Sequence, residues 1–185
     1  LGQLFNKEVD SATKAKLEPL KTIPWLPAER KDDRWYRPGE LYLVYQDYLF
    51  KSQALFLGLP DKLQRESSEF LHFLGLQNSP SVKMVVSHLL YCSARQQPPN
   101  KEIYRFLSER YQDPAIEQLK GQRCLWHDGA YYRPDQVFWQ EHGFGRFRKQ
   151  LAAELRIYNR FLERIGVKES PTWEDGLQVL LEISE

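Results

Sequence analysis

The residues best suited to chemistry in this chain are a glycine pair, four histidines with two cysteines, two carboxylate pairs and a set of basic residues. Gly143-Phe144-Gly145, between His142 and Arg146, is the nearest approach to a loop whose backbone N–H groups cradle phosphate. A nucleotide fingerprint needs a further glycine and a strand ahead of the helix. A flexible entry into the following helix explains the pair better, and no Walker, HExxH, GxSxG or EF-hand pattern occurs. His72, His88, His127 and His142 with Cys92 and Cys124 are donors of the type zinc takes, and His88 and Cys92 share an i, i+4 face. Cys124 and His127 would have to supply the second pair. Residues 161–184 repeat the pattern of 70–93, and there Val179 and Ile183 stand in place of His88 and Cys92. Core packing is therefore the favoured role, and no metal or cofactor is expected. Asp32-Asp33 lies in a charged loop and Glu174-Asp175 in a first helical turn, where solvation and the helix dipole account for them. No residue is assigned a catalytic role, and the segment is expected not to be an enzyme.

The basic set is the sharper surface feature. A helix is predicted over about residues 147–165, with Leu151, Leu155, Tyr158, Leu162 and Ile165 as its apolar stripe. At about 100° per residue, Lys149, Arg156, Arg160 and Arg164 project within about 80° of one another on the opposite side. These four are the candidate partner-binding residues, for phosphates or an acidic partner, although Glu154 and Glu163 dilute their charge. A net charge of +1, with 28% of residues charged, gives no bulk attraction to nucleic acid or anionic membrane.

The elements that would position these residues occur twice. Phe70-Leu71-His72-Phe73-Leu74-Gly75 returns as Phe161-Leu162-Glu163-Arg164-Ile165-Gly166, and the correspondence runs ungapped to Ser93 and Ser184. Eight of these 24 paired positions are identical, where background composition gives roughly one or two. Upstream, Tyr36-Arg37-Pro38 matches Tyr132-Arg133-Pro134, and Glu18, Leu20 and Lys21 match Glu117, Leu119 and Lys120. The offset falls from 99 to 96 to 91, as two shortened loops require. The chain thus reads as two tandem repeats, 1–93 and 94–185. It is expected to be α+β and predominantly helical, each copy carrying a small β-hairpin and several helices.

Within each copy four parts are expected. The first is helical, Phe5 to Leu20 and Glu102 to Lys120; Asn100 caps the second version and Asp113-Pro114 restarts it. A hairpin comes next, signalled by Asp128-Gly129 in the second copy and by Trp25 to Arg37 around a charged loop in the first. Third is a helix ending at Gly75 or Gly166, with the Tyr42–Leu59 run ahead of the first version left unassigned. Last is a helix whose start is signalled by Ser79-Pro80 or Ser170-Pro171, serine at the cap and proline at the first position. Val82, Val86, Leu89 and Leu90 match Trp173, Leu177, Leu180 and Leu181, so both terminal helices are expected to meet equivalent, buried surroundings.

Five tryptophans and two cysteines without metal-like spacing point to a well-filled core and a reduced, cytoplasmic setting. No apolar run is long enough to span a bilayer. The chain opens on Leu1 already inside a copy of the repeat, and an excised piece of a longer protein is therefore expected.

The order of features resembles sacsin and the plant NO VEIN proteins, with related large bacterial proteins. The residues concerned are Trp25-Leu26-Pro27 and Cys124-Leu125-Trp126, the Tyr-Arg-Pro segments at 36–38 and 132–134, and the Phe-Leu…Gly…Ser-Pro closes at 70–80 and 161–171. That resemblance implies a helical region following an ATPase domain of the heat-shock-chaperone, gyrase and histidine-kinase type, whose own motifs do not occur here. The expected function is a non-catalytic interaction or structural module of a larger ATPase-linked, chaperone-like or scaffold protein. Its partners would be other domains of that protein or a client protein. The alternatives are a nucleic-acid-associated module using the basic face and, with least support, an enzyme of unrecognised type.

Overall fold

The computed structural model describes residues 11–30, 33–141 and 143–184, with backbone alone at Arg146 and Ser184. The start of the expected opening helix at Phe5, the charged pair Lys31-Asp32 and His142 lie outside the described residues. The architecture is α+β: about half of the chain is helical, in short α and 3-10 segments, and the strands form three small pairs. Two compact units divide at Pro80/Ser81, so the helix ahead of the expected repeat boundary at 93/94 belongs to the second unit.

Among the described residues, the first unit opens on α1 (Ser11–Leu17), continued by the 3-10 turn Glu18–Lys21. The Trp25 indole N–H donates to the Leu20 carbonyl at 2.9 Å, tying this turn to the hairpin. In the hairpin, β1 (Leu26–Pro27) pairs antiparallel with β2 (Trp35–Tyr36), Leu26 opposite Tyr36. Pro38 cannot donate to a ladder and instead opens a 3-10 turn, Pro38–Glu40, whose Glu40 carboxylate accepts the Arg37 N–H at 2.8 Å. The chain emerges extended with Leu41 and Leu43 fully buried. Between them Tyr42 bridges Phe56 on one edge and Gln77 on the other, both parallel.

The run left unassigned from sequence folds around that bridge. Val44–Leu49 is a kinked 3-10 segment, and Tyr42, Phe50 and Phe56 form a ring cluster with centroids 5.0–6.4 Å apart. Buried Gln64, on α2 (Asp61–Glu66), donates to the carbonyls of Leu57 and Leu59 and accepts from the Val44 N–H, satisfying loop backbone that water cannot reach. After α3 (Ser68–Phe73), Gly75 takes φ +98° and Leu76 N–H reaches back to Leu71 O at 3.1 Å, the closing bonds of a Schellman turn.

The second unit starts with α4 (Val82–Ala94) and α5 (Glu102–Glu109). Asn100 Oδ1 accepts the Glu102 N–H, and Asp113 caps a 3-10 turn, Pro114–Leu119, as the sequence leads one to expect. α4 lies against α5 and this turn, burying Ile116 and Leu119 completely. β3 (Leu125–His127) and β4 (Ala130–Tyr132) form the expected hairpin, with Asp128 and Gly129 both at positive φ. Buried Tyr104 clamps it: its hydroxyl donates to Cys124 O at 2.8 Å and accepts the Trp126 N–H at 2.9 Å. Pro134–Gln136 is again a 3-10 turn, and β5 (Val137–Phe138) pairs in parallel with β6 (Lys149–Gln150) while Phe138 also bridges Lys168. α6 (Asn159–Ile165) ends at Gly166, φ +104°, and α7 (Trp173–Ser184) closes the unit.

Three expectations need correction. Residues 147–165 are not one helix. Lys149–Gln150 is strand, Ala153–Tyr158 is 3-10, and only Asn159–Ile165 is α-helical. Leu151 donates its N–H to Phe138 O at 2.8 Å, so tertiary pairing outweighs the helical period there. Leu151, Leu155, Leu162 and Ile165 are nevertheless all buried. Secondly, the cap of α4 is Ser81, whose Oγ accepts the Met84 N–H, and Ser79 instead reaches Asn78. Thr172 stands in the matching place ahead of α7, so Pro80 and Pro171 precede the caps rather than follow them. Thirdly, the terminal helices do not meet equivalent surroundings: Val82, Val86 and Leu89 are buried, whereas Trp173, Leu177, Leu180 and Leu181 are exposed.

Gly58 allows the hairpin to approach the 56–57 segment. Its N–H donates to Pro27 O at 2.9 Å, and a Cβ there would stand 2.4 Å from the Ala28 carbonyl oxygen. Backbone atoms cannot swing aside as a side chain does. Gly58→Ala is therefore expected to cost about 2 kcal/mol, within the usual range for overpacking. Urea denaturation measures it, and a loss under about 0.5 kcal/mol would mean the two segments separate freely.

Candidate functional site

The four basic residues singled out from sequence sit on three different elements. Lys149, on β6, lies 3.7 Å from Asp128 Oδ2 and over the Tyr132 ring. Arg156, in the 3-10 segment, is exposed and donates to Trp139 O at 3.5 Å. Arg160 and Arg164 are one turn apart on α6 and both face the segment after α5: Arg160 stands over the Tyr111 ring at 5.9 Å, and Arg164 pairs with Glu117 at 2.8 Å. Hydrogen bonds from Gln112 and Arg160 lower the Tyr111 phenol, and Lys120 and then Arg164 lower the Glu117 carboxyl. Arg160 and Arg164 thus hold α6 to its neighbour.

Lys149 and Arg156 instead share a cleft with His127, Glu141, Arg148 and Gln150. Arg148 is buried and already committed. Its Nη atoms donate to both Glu182 oxygens at 2.9 and 3.2 Å and to Phe147 O, which fastens α7 to the preceding loop and holds the Glu182 carboxyl below its ordinary range. His127 sits at the hairpin tip, 3.3 Å from exposed Asp128. With Arg148 paired to Glu182, Lys149 beside Asp128, and Glu141 in the lining with Arg156, the cleft carries charges of both signs.

A second anchor holds the start of α7. Burial alone would raise the Asp175 carboxyl, but Lys168 at 2.9 Å and the Thr172 N–H and Oγ–H at 2.7 and 3.0 Å outweigh it and lower it. Fixed in this way, α7 presents Trp173, Leu177, Leu180 and Ile183 along a shallow groove of about 630 Å3, whose other wall is Phe144 and Phe147. The glycine pair at 143 and 145 thus shapes the rim of an apolar groove.

His88 Nε2 and Cys92 Sγ are 3.8 Å apart in the interior, and among the described residues no three His, Cys, Asp or Glu side chains are grouped to hold a metal ion. Sequence reasoning passed over Arg148, Glu182 and Tyr104. Nothing in Phe147-Arg148-Lys149 marks Arg148 as buried. The Ile103-Tyr104…Phe106-Leu107 pattern does signal that Tyr104 is interior, where a hydroxyl needs partners. Among the described residues no helix is long and apolar enough to cross a membrane. The chain matches no protein-family model, and no curated protein or solved structure is significantly similar to it.

These contacts set what each arginine should contribute. Arg156→Gln and Arg160→Gln are each expected to change stability by about 0.5 kcal/mol or less. Arg164→Gln, which breaks the Glu117 pair, is expected to cost up to about 1 kcal/mol in the same urea titration. A loss beyond about 2 kcal/mol for Arg156→Gln would place that side chain in a buried network.

Burial raises the Cys92, Cys124, Tyr104 and Tyr131 groups, the Trp126 hydrogen bond offsetting this slightly at Tyr104. The folded chain then keeps protons that the unfolded chain releases near about pH 8.5 for thiols and about 10 for phenols. Stability should be complete below that window and fall as pH rises through it. Melting temperatures between pH 7 and pH 10.5 test this, and a flat profile would refute it.

Proposed function

We propose that this chain is a non-catalytic interaction module built from one structural unit used twice, and that it serves within a larger, cytoplasmic, ATPase-linked protein of chaperone-like or scaffold type. The carrying observation is that the same backbone hydrogen bonds recur between residues 99, 96 or 91 positions apart, the offsets the sequence displays, with one partner segment, 55–57 and 149–151, displaced by 94. Trp25 N–H bonds to Tyr36 O, and Cys124 N–H to Tyr132 O, both at 3.1 Å. Arg37 N–H bonds to the Glu40 side chain and Arg133 N–H to that of Gln136. Leu43 N–H meets Gln77 O at 2.9 Å and Trp139 N–H meets Lys168 O at 3.1 Å. Leu57 N–H meets Tyr42 O at 2.9 Å and Leu151 N–H meets Phe138 O at 2.8 Å. Leu76 returns to Leu71 as Val167 returns to Leu162.

These shared bonds support a common register in the two halves, whose side chains differ inside, as at buried Arg148, as well as on the surface. By the pairing of Leu57 with Tyr42 and of Leu151 with Phe138, Arg148 and Lys149 of the cleft stand where the first unit has Ala54 and Leu55. Repeated modules of this sort supply surfaces to partners, and an exposed apolar helix face is the feature such a role calls for. The ATPase-linked context, with partners among the parent's other domains or its clients, rests on the resemblance of the motif order to that of sacsin and NO VEIN proteins alone.

Titration calorimetry with ATP and magnesium tests the non-catalytic reading. No saturable heat is expected up to millimolar nucleotide, and micromolar binding would overturn it. The same titration with single-stranded and duplex oligonucleotides separates the nucleic-acid alternative, because phosphate contacts make affinity fall steeply with salt.

A further inference from the structure

We propose that the exposed face of α7 is a docking surface for a second copy of this chain, which seats the start of its first unit there head to tail. The inference rests on the reading of one repeat used twice, 1–93 and 94–185, whose last helices are α4 and α7. α4 and α7 are matching helices, and α4 is covered along one stripe by α5 and the 3-10 turn 114–119. Val82, Val86, Leu89 and Cys92 are 7, 0, 0 and 6% exposed. Their counterparts Trp173, Leu177, Leu180 and Ile183 are 72, 50, 63 and 57% exposed. The stripe is kept apolar, and enlarged, where the structure leaves it open to water.

The complementary deficit lies at the other end of the chain. Ile116 and Leu119, which receive α4, are fully buried. Their counterparts Leu17 and Leu20, in α1 and the turn after it, are only half-buried. One molecule thus carries an uncovered apolar helix stripe and an incompletely covered 3-10 turn of the type that stripe fits.

Charge adds to the same pairing at one point: Asp175 and Glu182 of α7 are already paired with Lys168 and Arg148, and Glu174, beside Trp173 at the start of the stripe, is the acid that Lys14 and Lys16 of α1 would meet. A contact between unlike surfaces leaves a free α7 on one end and a free α1 on the other, so assembly continues beyond a dimer unless it closes into a ring.

Sedimentation velocity of the intact chain from about 5 to 300 μM, together with two surface variants, tests the proposal. The weight-average mass of the wild type is expected to rise with concentration past that of a dimer. Leu180→Glu, in the middle of the α7 stripe, and the double variant Lys14→Glu/Lys16→Glu on α1 should each raise the dissociation constant at least tenfold. Their equimolar mixture should recover association as a heterodimer, because each variant retains the surface the other has lost. Both changes are at exposed positions, and circular dichroism melts confirm that each variant folds. A wild type that stays monomeric at 300 μM would overturn the proposal, as would a lysine variant that associates like the wild type or a mixture that recovers nothing. A monomeric chain that binds no nucleotide would sink this contact alone and leave the module reading standing.

Discussion

A three-residue stretch of extended backbone, bonded along both edges, holds each unit together. In the first unit it is 41–43, flanked by 55–57 and 77; in the second it is 137–139, flanked by 149–151 and 168. Segments this short gain little from strand propensity, so the ladder survives only because its side chains are sealed: Leu41, Leu43 and Phe138 are completely buried. The arginine-proline turn ahead of the stretch sets its direction. A carboxylate or amide three residues on caps that turn, and the glycine-ended helix returns the chain to the second edge.

Local chemistry was the part most legible in the sequence. Asp128-Gly129 specified a hairpin, Gly75 and Gly166 specified helix stops, and Asp113-Pro114 specified a restart, because each depends on residues within one turn of itself. The helical period over 147–165 identified interior positions but not their conformation. Leu151 is buried from an extended strand and Leu155 from a 3-10 turn, and both satisfy the same spacing. The Ser-Pro signal placed the cap at Ser79, but the helix starts after the proline, where the Ser81 Oγ accepts the Met84 N–H.

Surfaces were the least legible. An apolar stripe in a sequence records that a face is built to be covered and says nothing about its cover, so α4 and α7 read alike although only α4 is buried. Arginines at helical spacing similarly look free until their partners are placed. Arg160 and Arg164 are used to join α6 to Tyr111 and Glu117, which no local pattern foretells because those residues lie over 40 positions away.

The two units also differ in how they cap one carbonyl. Trp25 offers an indole N–H to Leu20 O at 2.9 Å, and Cys124 offers a thiol to Leu119 O at 3.8 Å. Both cysteines of the chain, Cys92 and Cys124, are reduced, interior and confined to the second unit. A thiol reagent added to the folded protein can therefore react only as that unit opens, while the first unit contributes no signal. The rate of thiol labelling becomes a clock for the opening of one unit. Once Trp126, Trp139 and Trp173 are replaced by phenylalanine, the fluorescence of Trp25 and Trp35 reports on the other. The molecule thus offers separate reporters with which the cooperativity of its halves is measured.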